Sequence, residues 1–254
     1  MPYVENSGVS IHYHVEGNGP LLVLQHGFAM SLGRWREAGY VDALKSDYRV
    51  ILIDARGHGA SSKPYDIEAY SPESSVADVL AVLDALDVSK AHFWGYSMGG
   101  AIGMDVASDA PHRISSLIVG GAGADPNPSG APEADPMVDA LREGIESFVA
   151  FIENAVGTLT PEAKQTFLAN DASALLASRM GRRSARRVRP SISMPCLLYA
   201  GGADAARSAA KEYAATLPQG TFFDLQGLSN TQAFSRSDLV LPHVKKFLAE
   251  VSNA

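Results

Sequence analysis

Along the chain, short uninterrupted apolar runs alternate with segments whose apolar positions recur every three or four residues. That rhythm sets the fold class. Leu21–Leu24, Tyr48–Ile53, Ala91–Trp94, Ser116–Val119, Cys196–Ala200 and Thr221–Leu225 are predicted strands. A strand apolar on both sides must be covered on both faces, the pattern of a parallel sheet between helices. Ser31–Lys45, a segment starting at Met98 and Ser237–Val251 are predicted helices. Another opens at Ser71-Pro72-Glu73, with Ser suited to the N-cap and Pro to the first turn. Its positions Val76, Val79, Leu80, Leu83 and Leu86 keep helical spacing. At the start, Pro2–Val15 predicts two short strands around the turn Asn6-Ser7-Gly8.

The rhythm breaks at Gly120. Residues 124–136 (ADPNPSGAPEADP) hold four prolines and little to bury, so a loop is expected. Helical segments follow near Met137–Val156, Pro161–Asn170 and Ala172–Arg187 before strands resume. The predicted organisation is an α/β core of residues 1–121 and 191–254, with residues 122–190 inserted as a helical cap.

Composition changes this picture little. A chain of 254 residues can build one sizeable core. With 21 basic against 28 acidic side chains the net charge is −7, which repels nucleic acid and anionic membranes and favours a small-molecule partner. The single cysteine, Cys196, excludes an internal disulfide and sits in an apolar run as a core residue. The opening MPYVENSGVS lacks the basic-then-apolar order of a signal peptide, and no apolar run approaches a membrane span. A cytoplasmic protein without metal or organic cofactor is the expectation; oligomeric state is not legible.

Chemistry concentrates at the strand ends. Gly95-Tyr96-Ser97-Met98-Gly99 follows an apolar strand and opens a helix, the context of a nucleophile elbow. Small residues two before and two after the serine permit so sharp a turn, which lifts its hydroxyl clear of the sheet. His26-Gly27-Phe28 ends an earlier strand, so the Phe28 and Met98 amides are candidate oxyanion-hole donors. Beside a tight glycine turn, His26 suits a fixed structural hydrogen bond better than catalysis. His26, Trp35 and Phe28 are candidate walls of the substrate pocket, whereas Trp94 belongs to the sheet core. Arg179, Arg182, Arg183, Arg186, Arg187 and Arg189 cluster at the end of the cap and spread over more than one helical face. A solvated surface is favoured for them, with an electropositive entrance for carboxylate-bearing substrates as the alternative.

Together with Asp54-x-Arg56-Gly57-His58-Gly59-x-Ser61 and Pro195–Asp204 (PCLLYAGGAD), these segments make the chain resemble the α/β-hydrolase superfamily, in the branch of esterases, lactonases and related cofactor-free hydrolases. The resemblance spans nearly everything outside the cap. It implies the order serine, acid, histidine, with Ser97 as nucleophile and Asp204 as acid; Asp204 also suits the N-cap of a following helix. A serine at the elbow argues against epoxide-hydrolase or dehalogenase chemistry, for which the family uses aspartate. The family's histidine falls on the loop after the last strand, at residue 230, and here that residue is Asn230.

An amide can hydrogen-bond but cannot take the serine proton or deliver it to a leaving group. Loss of a triad base costs ~10⁴-fold or more. His12, His14, His58, His92, His112 and His243 all fall outside the expected loop. Three accounts of Asn230 stay open: an introduced substitution that stalls turnover, a natural binding or sensing protein on the same fold, or another cofactor-free chemistry in the same pocket. The leading expectation is a serine hydrolase of carboxylic esters or lactones, impaired by Asn230. The alternative is a non-catalytic ligand-binding protein.

Overall fold

The computed structural model describes residues 2–123, 135–184 and 192–252. Its eight strands are β1 (Tyr3–Asn6), β2 (Val9–Glu16), β3 (Leu21–Gln25), β4 (Arg49–Ile53), β5 (Ala91–Tyr96), β6 (Ile114–Gly120), β7 (Cys196–Gly201) and β8 (Gly220–Leu225). They form one sheet in the order β1-β2-β4-β3-β5-β6-β7-β8. The β1–β2 and β2–β4 pairs are antiparallel, and every other neighbouring pair is parallel. The observed fold is therefore the expected α/β-hydrolase sheet, mostly parallel and flanked by helices.

The helices are α1 (Gly33–Glu37), α2 (Tyr40–Leu44), α3 (Pro72–Ala85), α4 (Met98–Asp109), α5 (Pro136–Glu143), α6 (Ile145–Val156), α7 (Pro161–Leu168), α8 (Ala172–Ser184), α9 (Arg207–Thr216), α10 (Asn230–Ser235) and α11 (Ser237–Ser252). Alternation along the strands explains the layers. Val23, Ile51, Phe93, Leu117 and Leu198 face one core with Val79 and Leu83 of α3 and Ile102 and Val106 of α4. Leu24, Leu52, Trp94, Ile118 and Tyr199 face the other, packed on Trp35, Tyr40, Leu44 and the apolar face of α11. Each large side chain so buried contributes roughly 1.5–3 kcal/mol, which is why uninterrupted apolar strands require both layers.

Two predicted helices are divided in the structure, each by a glycine. Ser31–Lys45 becomes α1 and α2 because Gly39 adopts φ +80°. Met137–Val156 becomes α5 and α6 because Gly144 adopts φ +123°. A side-chain-bearing residue would resist that left-handed backbone. Ser71 caps α3 as expected, accepting the Ser74 amide hydrogen bond. The turn between β4 and α3 is held by Asp54, whose carboxylate accepts the Leu32 and Ala60 amides at 2.7 and 3.0 Å and pairs with His12 at 2.8 Å.

Helices α5–α8 lie in sequence between β6 and β7 and bury a small apolar cluster of their own. Leu141, Phe148 and Leu175 pack there around Ala29, with Phe28 at the edge. The proline-rich segment expected as a loop falls almost wholly outside the described residues, as do Arg186, Arg187 and Arg189. No helix among the described residues is long and apolar enough to cross a membrane.

Candidate active site

Ser97 sits between the end of β5 and the start of α4 with φ +51° and ψ −113°, a backbone region that L-residues rarely occupy. The surrounding packing holds it there. The Ser97 amide donates to the Gly120 carbonyl at 2.7 Å, and its carbonyl accepts the Ala101 amide at 3.0 Å. A Cβ on Gly95 would lie 2.1 Å from the Gly99 carbonyl oxygen, and one on Gly99 would lie 2.1 Å from the Gln25 carbonyl oxygen. Both glycines are thus demanded by close backbone approach. Among the described residues the Ser97 hydroxyl makes no hydrogen bond.

Ser97 occupies the N-cap of α4, so the positive end of the helix dipole lies beside it. The turn after β3 comes close: a Cβ on Gly27 would stand 3.5 Å from Cβ of Ser97. The Phe28 and Met98 amides donate no hydrogen bond among the described residues. Ala29, next in the turn, is also held at positive φ, +56°.

The other half of the constellation follows β7 and β8. Asp204 accepts two hydrogen bonds: Oδ1 takes the Ala206 amide at 2.9 Å just ahead of α9, whose N-cap is Ala206 rather than Asp204, while Oδ2 accepts from Nδ2 of Asn230 at 2.7 Å. Asn230 also donates to the Gly121 carbonyl at 3.0 Å, so its amide is held between two acceptors. Its backbone is fixed separately. Ser229 and Gln232 form a reciprocal capping box around the start of α10, and the Tyr96 hydroxyl donates to the Asn230 carbonyl at 2.5 Å. Burial raises the Tyr96 phenol well above its usual range, with the nearby Asp204 charge adding to the shift, so it remains a donor.

Two pocket assignments need correction. His26 is fully buried and lines neither cavity described below; Nδ1 bonds the Gly27 carbonyl at 2.8 Å and Nε2 receives the Ala55 amide at 3.1 Å. Both ring nitrogens are committed to holding the turn, and burial depresses its pKa despite the neighbouring Asp54 carboxylate. Trp35 is fully buried on the opposite face of the sheet, its ring 5.1 Å from Tyr40 and Phe234 and 5.2 Å from Trp94. An apolar aromatic of that size gains more in this cluster than at a pocket wall. His243 does not stand in for a base either: it stacks on Phe223 with ring centroids 4.1 Å apart. Phe28, in contrast, does line a cavity.

That cavity has a volume of about 220 Å³ and lies between Phe28, Ser97 and Met98 on the core side and Ser178, Arg179 and Arg182 of α8 on the other. These two arginines line the cavity, Arg179 with a third of its side chain still exposed and Arg182 largely covered. Their spacing of three, which places them on one helical face, was the available signal. A second cavity of about 470 Å³ is lined by Met30, Leu159, Phe167, Leu228 and Thr231, among others, on the side of α7 and α10. Asn170 links the regions: its side-chain amide donates to the Ala29 carbonyl at 3.1 Å as well as to two carbonyls of α7. No sequence motif marks it. Among the described residues no cluster of three metal-ligating side chains occurs.

A strand-turn-helix serine, an adjacent turn with free amides and an acid after a later strand are the features that the resemblance to the α/β-hydrolase family implied. The chain belongs to that family, since the model described as the alpha/beta hydrolase fold matches residues 20–230. The protein named RutD of Azorhizobium caulinodans, a carbamate hydrolase by name, is 37% identical over 119 residues, covering 47% of this chain and 43% of that one. The chain spans about half or less of the length of the curated relatives it matches. Among solved structures, the enol-lactonase of Burkholderia xenovorans LB400 is similar at TM-score 0.84 and 27% identity, over 98% of this chain and all of that one. Est816, described as an N-acyl homoserine lactone degrading enzyme, is similar at TM-score 0.69 and 27% identity, over 97% of this chain and 100% of that one.

Proposed function

We propose that this chain is a hydrolase of carboxylic esters or lactones built to act through an acyl-enzyme on Ser97, with residues 122–190 capping the site and Asn230 in the position of the base. In that chemistry the Ser97 oxygen bonds to the substrate carbonyl carbon and the Phe28 and Met98 amides receive the oxygen that becomes anionic. Collapse of the adduct breaks the bond to the alcohol oxygen, and water then cleaves the acyl-serine. A base must take the Ser97 proton and return it to the departing oxygen. The Asn230 amide can do neither, so turnover by this chain is strongly depressed.

The observation that carries the reading is the 2.7 Å hydrogen bond from Asn230 to Asp204, on a helix start fixed by its own capping box. A donor on Asp204 is what an imidazole N–H at 230 would supply, and the capping box holds that helix start without the side chain at 230, which supports the reading. The likeness to an enol-lactonase and to a homoserine-lactone-degrading enzyme favours lactones and esters over amides.

The test is Asn230→His. Hydrolysis of p-nitrophenyl butyrate should rise at least ~10³-fold, and a fluorophosphonate probe should label Ser97 efficiently only in the histidine form. A folded Asn230→His protein that neither turns over nor labels would overturn the proposal and leave ligand binding as the function of the site.

A further inference from the structure

We propose that the cavity beside Ser97 is an anion subsite, selecting esters or lactones whose acyl part carries a carboxylate, with Arg179 and Arg182 as its receptor. This rests on the ester and lactone reading for the chemistry, but the carboxylate receptor stands on its own geometry.

Arg179 and Arg182 lie three residues apart on α8 and form the wall that faces Ser97 and Met98 across about 220 Å³. At ~30 Å³ per water this space equals roughly seven water molecules, room for a compact acyl group. Each guanidinium is anchored by an acid the solvent barely reaches. Nε of Arg179 donates to Asp135 at 2.7 Å, and that carboxylate is 6% exposed. Nη1 of Arg182 donates to the Ser75 hydroxyl at 3.0 Å and Nη2 lies 3.5 Å from Asp105, which is 1% exposed. The anchors fix both side chains before a ligand arrives, removing most of the ordering cost of long, flexible arginines.

The anchoring also decides what remains available. A guanidinium presents five N–H donors in a planar fork. Asp135 engages Arg179 through Nε, and among the described residues its two terminal nitrogens have no partner. A carboxylate is the group that matches such a fork with two parallel hydrogen bonds. Asp135 and Asp105 offset the arginines' charge when the cavity is empty, so the receptor is stable unliganded.

Binding and turnover test this separately. On the unmodified chain, calorimetry should show glutarate binding at least tenfold more tightly than dimethyl glutarate, which has no carboxylate, with affinity falling as salt rises. Arg179→Gln and Arg182→Gln should each weaken glutarate binding about tenfold, with Arg182→Lys recovering only part. In the Asn230→His background, the ratio of kcat/KM for p-nitrophenyl hydrogen glutarate over p-nitrophenyl butyrate should exceed one and fall about tenfold in either arginine variant. Glutarate binding no better than its dimethyl ester in the unmodified chain overturns the anion subsite whether or not the variants fold. Tight, arginine-dependent glutarate binding with no turnover in Asn230→His sustains the subsite and removes the hydrolase reading. Turnover of the neutral ester at a ratio of one or below does the reverse.

Discussion

The two walls of the Ser97 cavity are built in different ways. On the core side, position is enforced by backbone: Ser97 at φ +51°, Gly95 and Gly99 where no Cβ fits, and amides of the Phe28 turn set by a buried histidine. On the side of α5–α8, position is enforced by side chains: Arg179 on Asp135, Arg182 on Ser75 and Asp105, and Asn170 on the Ala29 carbonyl. Backbone contacts in a sheet have one arrangement, so the chemistry they hold tolerates almost no local change. Side-chain anchors can be exchanged singly at modest cost, so the helical wall can be retuned for another substrate while the core stays fixed.

The contrast predicts a steep difference in tolerance. Gly99→Ala should lower stability by about 3 kcal/mol and lose Ser97 geometry, because the added methyl would sit 2.1 Å from the Gln25 carbonyl oxygen. Denaturant unfolding checks this; a change below 1 kcal/mol would mean that the elbow is less rigid than its backbone implies. The core should also be the pH-sensitive half. His58 is fully buried with its pKa pushed down to about 3, chiefly by burial, and burial lowers His26 as well. Both bind protons more readily unfolded, at about 6.5, than folded. Their neutral forms therefore cost nothing above that pH, and stability falls as pH drops below about 6.5, for His58 by up to ~1.4 kcal/mol per pH unit down to about 3, with His26 adding in the same direction. Urea titrations at pH 7, 6 and 5 should show this slope, and His58→Gln should flatten it.

Asp54 extends the effect to lower pH. Burial opposes its ionisation, but nearby His26, the Ala60 and Leu32 amides and His12 together hold its carboxyl below the usual range. Its contribution, present above about pH 4, is lost only as pH falls further. The smallest effect should come from the helical side. Asn170→Ala removes one amide and should cost about 1 kcal/mol. It should also raise hydrogen exchange at Ala29 and Met30 while leaving α4 unchanged. Equal protection loss in α4 would mean that the two walls are one cooperative unit.

Most of the strand frame was legible in the sequence because a doubly covered strand has to be apolar throughout, and the six apolar runs each lie within or beside a real strand. The elbow was legible for a related reason: two glycines around a serine at a strand end have few other uses. The errors share a cause. Ser31–Lys45 and Met137–Val156 each carry helical periodicity, and nothing in periodicity reports that Gly39 and Gly144 would adopt positive φ. Trp35 and His26 stand near the right segments, yet which face of the sheet a side chain enters depends on the turn between.

What the sequence determined by itself is the set of residues whose identity is forced locally: the alternating apolar strands, Gly95 and Gly99 around Ser97, Asp204 after its strand, and an asparagine at 230. What only the tertiary structure decided is which distant groups meet. Asn230 reaches Asp204 and Gly121, Asn170 reaches Ala29, and Arg179 and Arg182 come to face Ser97 although 82 and 85 residues separate them in the chain. Local identity follows from steric and solvation demands felt within a few residues. A meeting across the fold depends on how the helices after β6 settle on the sheet, a matter of packing that no short segment encodes.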